Sequence, residues 1–154
     1  KHGVTLLSDE IHCDLTDPGR DYVPFASVSP ECRDNCVVCF APTKTFNLAG
    51  IQTAGAMVPN PFLRHKVWRA LNTDEVAEPN VFAIPAAVAA YTKGDAWLDA
   101  LRAYLYENKQ TVYRFAQEHI PGLRAVRGEA TYLVWLDCNA FSDINSFSDD
   151  SILI

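Results

Sequence analysis

Ala41-Pro42-Thr43-Lys44-Thr45-Phe46-Asn47-Leu48-Ala49-Gly50 is the stretch on which the reading of this chain turns. It follows Asn35-Cys36-Val37-Val38-Cys39-Phe40, an apolar, β-branched run that reads as a buried strand closed by Ala41-Pro42. Lys44 stands alone among apolar and small residues just past that strand. A lysine so placed is costly unless it is paired or made neutral by burial. A neutral amine is what Schiff-base chemistry needs, because only that form attacks a carbonyl carbon. The plainer reading is an exposed lysine on a loop, and the local context alone leaves both open.

Upstream, Gly3-Val4-Thr5-Leu6-Leu7 reads as another strand and runs into Ser8-Asp9-Glu10-Ile11-His12-Cys13-Asp14-Leu15. A carboxylate at a strand end can hold a cation or a protonated ring nitrogen, and a His three residues on can reach the same ligand. A simple turn cap at Asp9 is the alternative. Ile51–Val58 reads as a third strand. These runs are apolar on both faces, as in a mostly parallel sheet covered on both sides.

After Pro59-Asn60-Pro61 the period changes. A helix is expected from Phe62 to Leu71 with Pro61 at its start, and a second, Ala-rich helix from Asn80 to Tyr91, ended by Lys93-Gly94. Asp95 is expected to cap the longest helix. Its stripe Trp97, Leu98, Leu101, Tyr104, Leu105, Val112, Phe115 and Ala116 reads as core, and Pro121-Gly122 stops it. Two short strands follow, Leu123–Val126 and Thr131–Asp137. Residues 142–154 show no period. Strands, then helices, then strands suggest two regions joined by the long helix.

Composition narrows the function classes. The chain has 154 residues, 49% hydrophobic and 21% charged, which is one ordinary domain's worth and excludes disorder. The longest apolar run, Val81–Tyr91, has 11 residues and contains Pro85, whereas a membrane span takes about 20. A net charge of −6 without any basic run argues against nucleic-acid binding. Five cysteines form no disulfide framework and point to reduced thiols in a cytoplasmic protein. Cys32, Cys36 and Cys39 have iron–sulfur spacing, but Cys36 and Cys39 sit three apart in a strand and face opposite ways, so no metal site is expected. The chain opens on Lys1 and enters an apolar run at once, so it is expected to be part of something larger.

Together, Ser8–Leu15 and Ala41–Gly50 closely resemble the fold-type I pyridoxal-phosphate enzymes. Within them the chain is most similar to the MalY/PatB group of cysteine-conjugate (carbon–sulfur) β-lyases, relatives of the class I/II aminotransferases. The likeness continues through Val58-Pro59-Asn60-Pro61, Asn80-Val81-Phe82 and Gly94–Leu98. It implies an α/β fold: part of an aspartate-aminotransferase-like large domain over residues 1–105, and the start of a small α+β C-terminal domain over 106–154. It implies pyridoxal 5'-phosphate joined to Lys44, the catalytic residue. Asp9 would keep the pyridine nitrogen protonated, and His12 stands where many relatives place a Tyr on the ring hydroxyl. Thr43, with Thr45 as the alternative, would hold the phosphate. Ala41 and Gln52 stand where many aminotransferases have a phosphate-binding Ser and Arg, a departure that favours the lyases. The implied reaction is α,β-elimination to pyruvate, ammonia and a thiol by a homodimer, with transamination as the alternative. The residues missing from this chain lead to the expectation that it is inactive by itself, and a non-catalytic fragment is the second alternative.

Overall fold

The structure is a computed structural model and describes residues 3–141. The patternless stretch 142–154, the last part of the expected second domain, lies outside the described residues.

Strand β1 (Leu6–Asp9) pairs in parallel with β2 (Cys36–Phe40), from Leu6 opposite Cys36 to Asp9 opposite Cys39. The connection passes through a 3₁₀ turn at Phe25–Ser27 and a short helix α1 (Pro30–Asp34). Ser29 starts α1 by accepting the Cys32 N–H, with Pro30 pre-set for the first helical position. β2 is the buried centre: Cys36, Val37 and Val38 are almost wholly enclosed.

The third strand is shorter than its apolar run suggests. Ala49–Ile51 closes into a 3₁₀ turn, and Gln52 is left-handed at φ 52°, so the chain reverses before it pairs. Only Gly55–Met57 forms β3, antiparallel to β2. Phe40 lies opposite Gly55, where a Cβ would stand 2.7 Å from the Phe40 ring, so glycine lets the aromatic cross the strand. The sheet therefore holds one parallel and one antiparallel pair. β1 keeps an open face, with Leu7 70% exposed, where cover on both sides was expected.

Helix α3 spans Pro61–Thr73, where Asn60 accepts the N–H groups of Phe62 and Leu63. α4 spans Ala83–Lys93. It starts three residues later than the composition suggests, which puts Pro85 at the third helical position, where no N–H is needed. Helix α5 runs Asp95–His119 and is capped by Gly94, without a side-chain cap; Asp95 is its first residue rather than its cap. Its acidic group still suits the positive helix end.

The apolar stripe on α5 splits in two. Lys109, Tyr113 and Ala116 are buried, and Leu98, Leu101, Arg102 and Leu105 are half-buried. Trp97, Tyr104, Val112 and Phe115, expected in the core, are exposed. β4 (Arg124–Val126) pairs antiparallel with β5 (Trp135–Asp137). β5 begins later than expected, because Thr131 is left-handed at φ 62° and its N–H donates to Leu15 O instead. No described helix is long and apolar enough to cross a membrane.

Candidate active site

In open α/β sheets, ligands bind beyond the carboxyl ends of parallel strands, where successive loops splay apart. β1 and β2 make such an edge. Asp9 ends β1; the chain leaving β2 turns through Ala41 into the short helix α2 (Pro42–Thr45), which carries Lys44. The last rung of the ladder is the Glu10 N–H donating to Cys39 O at 2.8 Å. Beyond it the two loops separate.

The adjacent acids have opposite fates. Glu10 is 7% exposed, and its Oε1 accepts from Ser8 Oγ and the Phe25 N–H, both at 3.0 Å. Burial and a hydrogen bond to Glu10 push the Tyr22 phenol well above its ordinary range. Glu10 therefore fastens the loop after β1 to the Phe25 turn. Asp9 is exposed and accepts only the Ile11 N–H, at 3.2 Å among the described residues. That contact occupies Oδ1 and leaves Oδ2 unengaged.

The loop then coils by two turns, Cys13 N–H to Glu10 O and Leu15 N–H to His12 O. His12 is half-buried and meets Tyr132 edge to face at 5.3 Å. Its Nδ1 is enclosed with no hydrogen-bond partner among the described residues. Burial first, then the Asp14 and Glu10 carboxylates, push the Cys13 thiol up to about 11.

On α2, Pro42 and Thr45 are buried while Lys44 is exposed. Of the two readings the sequence leaves open, the exposed one holds within this chain: the amine faces outward and makes no ion pair or hydrogen bond among the described residues. The turn beneath it is fixed by Phe46 N–H to Pro42 O and Leu48 N–H to Thr43 O, both 2.9 Å. Phe46 anchors it further, against Tyr91 and Trp97 with ring centroids 5.6 and 5.8 Å away. Thr43 is half-buried, and its hydroxyl is unbonded among the described residues; the Thr45 hydroxyl donates to Asp14 Oδ2 at 3.0 Å. Gln52 is exposed.

A cavity of about 440 Å³ is lined by Glu10, Cys13, Tyr22, Phe40, Met57 and Tyr91. Side chains alternate along a strand, so this cavity opens on the face of the sheet opposite Asp9. By the same alternation Cys36 and Cys39 point to opposite faces. No cluster of three His, Cys, Asp or Glu among the described residues is placed to hold a metal ion.

Two residues unremarked in the sequence brace the loop. Arg102 donates to Thr16 O at 2.9 Å and to the Thr16 hydroxyl. Lys109 pairs with Asp17 and reaches Gly128 O at 3.4 Å. The one sequence signal for Lys109 was its position, four residues from Leu105 and four from Tyr113 on the packed face of α5.

A parallel strand edge bearing an unengaged amine and a carboxylate with one unengaged oxygen fits a cofactor-dependent α/β enzyme fold. The sequence matches the family described as aminotransferase class I and II over residues 1–150, and the chain belongs to that family. Among individual proteins, it is 40% identical over 141 residues to cystathionine beta-lyase PatB of Bacillus subtilis, covering 92% of this chain and 36% of that protein. The fold matches the PLP-bound C-S lyase from Staphylococcus hominis with a TM-score of 0.83 and 33% identity, over 95% of this chain and 36% of that one. Cystalysin from Treponema denticola, which contains pyridoxal 5'-phosphate, matches with a TM-score of 0.84 and 30% identity, over 88% and 34%. The chain spans about a third of the length of the relatives it matches.

Proposed function

We propose that the whole protein is a pyridoxal-phosphate-dependent carbon–sulfur β-lyase, which cleaves cystathionine or related cysteine conjugates to pyruvate, ammonia and a thiol. The observation that supports this most is the shared edge of Asp9 and Lys44 in a chain 40% identical to a cystathionine beta-lyase. Residues 1–105 are read as part of the cofactor-binding large domain and 106–154 as part of the small domain, in a cytoplasmic homodimer.

The donor set fits the cofactor. Lys44 Nζ has no competing partner among the described residues, Asp9 has an unengaged oxygen, and His12 Nδ1 is an enclosed polar atom awaiting one. Lys44 would bond the aldehyde carbon, and Asp9 would accept from the pyridinium N–H. His12 would lie beside the ring hydroxyl, and the Thr43 hydroxyl would donate to the phosphate. Thr43 suits that role better than Thr45, whose hydroxyl is spent on Asp14. When bound, pyridoxal phosphate supplies an electron sink for the pair left at the substrate α-carbon.

The residues of this chain do the proton work. Lys44 Nζ, as the free amine, would take the substrate α-proton. Asp9 would pair with the ring nitrogen and keep its proton in place. Glu10 and the Phe25 turn hold Asp9 at the strand end.

Loaded whole protein given L-cystathionine is expected to release pyruvate, read by lactate dehydrogenase, and thiol in equal amounts. Lys44→Ala is expected to cut the rate at least about 10²–10⁴-fold, the worth of a lost proton-transfer group. A class I/II aminotransferase, which the family description favours as the second reading, would instead consume a keto-acid acceptor and release neither. Residues 1–154 alone are expected to show no turnover, and robust pyruvate release by them would contradict that part.

A further inference from the structure

The parallel ladder aligns the two site-bearing loops only as far as Asp9 and Cys39, with one more rung at Glu10. Lys44 lies five residues beyond that rung, in a four-residue helix whose own hydrogen bonds cannot set its position relative to a neighbouring loop. Something past the ladder must do so. Among the described residues, one side-chain hydrogen bond joins the 10–21 loop to the 41–52 segment: Thr45 Oγ1 donating to Asp14 Oδ2 at 3.0 Å, across 31 residues of sequence.

We propose that Thr45 and Asp14 are positioning residues that hold Lys44 in register with Asp9 and His12. Thr45 is fully buried, so its hydroxyl has no water to turn to and its rotamer is set by packing. The acceptor is a carboxylate, which makes the bond stronger than one between neutral groups. Asp14 sits two residues past His12 in the loop that begins at Asp9, and Thr45 is the residue after Lys44. The bond therefore ties together the residues adjoining both halves of the site. The Asp14 carboxylate faces Cys13 and Tyr91 as well, and its charge contributes to raising both their proton affinities. On the other side, Arg102 and Lys109 fix Thr16 and Asp17, so Asp14 is held between two anchored points.

This inference rests on the reading of Lys44 as the cofactor lysine. The full chain is treated with pyridoxal phosphate and borohydride, and in parallel with acetic anhydride, an amine reagent with neither ring nor phosphate. The ratio of label on Lys44 to label on Lys66, an exposed lysine on α3, is read by peptide mass. With pyridoxal phosphate, wild type favours Lys44. Thr45→Val lowers that ratio about three- to tenfold, the net worth of one hydrogen bond. It leaves the acetylation ratio unchanged, and Thr45→Ser restores the preference. A purely structural loss would move both reagents together. Should Thr45→Val lose its far-UV circular dichroism, Asp14→Ala removes the acceptor without touching the buried methyl and is expected to give the same drop. A wild-type ratio in folded Thr45→Val or Asp14→Ala overturns the positioning role alone. No preference for Lys44 in wild type overturns the cofactor reading, and the positioning role with it.

Discussion

Lys109 and Asp17, 92 residues apart in sequence, form an ion pair with the lysine side chain only 3% exposed. The pair fastens the middle of α5 to the loop that follows Asp9 and carries His12, and the lysine also reaches Gly128 O. Removing one partner of a buried pair strands the other charge at a cost of about 3–5 kcal/mol, whereas replacing both with apolar groups is close to neutral. Lys109→Met is therefore expected to lower stability by that amount, and Lys109→Met with Asp17→Leu to recover most of it. A urea-unfolding cycle over the four proteins gives the coupling; additive losses would contradict a paired, enclosed lysine.

Gly94 joins α4 to α5 under the Phe46 ring. A Cβ there would stand 2.3 Å from Ala90 O and 2.4 Å from Phe46 Cε1, closer than any real contact. Gly94→Ala is expected to cost about 1–3 kcal/mol, as overpacking does. Because Phe46 anchors the Lys44 turn, pyridoxal labelling of Lys44 should fall too. Unaltered thermal unfolding would show that the two helices yield freely at this point.

High pH should weaken the fold in two steps. Burial first, then Asp14 and Glu10, lift the Cys13 thiol from 9.0 to about 11. Burial and the Asp14 charge lift the Tyr91 phenol from 10.0 to about 12. Each group binds its proton more tightly folded than unfolded, so its contribution is complete below the unfolded value and is lost as pH rises through the folded one. The urea midpoint is expected to fall from about pH 9 to 11 through Cys13, and from about pH 10 to 12 through Tyr91. Cys13→Ala should reduce the lower fall, which the raised Cys36 thiol shares, and Tyr91→Phe the upper, which the raised Tyr22 phenol shares. Midpoints level across that range would refute the assignment.

The order of elements could be read locally because their signals are local. Asn60-Pro61 starts α3, Pro121-Gly122 follows α5, and an unbroken apolar run makes β2. Asp9 and Lys44 stood out because chemistry-bearing residues at strand ends are rare amid apolar neighbours. What was not legible depends on distant partners. Arg102 and Lys109 look like surface residues on a helix until Thr16 and Asp17 are brought to them from the far end of the sequence. The run from Ile51 to Val58 reads as strand throughout because the left-handed turn at Gln52 bears no glycine to announce it. Trp97, Tyr104 and Phe115 follow the helical period of core residues and yet face outward, since periodicity groups residues on a face without saying what covers it.

The measurement closest to the central claim needs only this chain. Mixed with pyridoxal phosphate, it should develop a visible absorption band; reduced with borohydride and mapped by peptide mass, it should carry the pyridoxyl group on Lys44. Asp9→Ala should weaken the band. Label spread evenly over all five lysines, or no band at all, would contradict the assignment of Lys44 and Asp9 as the two ends of a cofactor site.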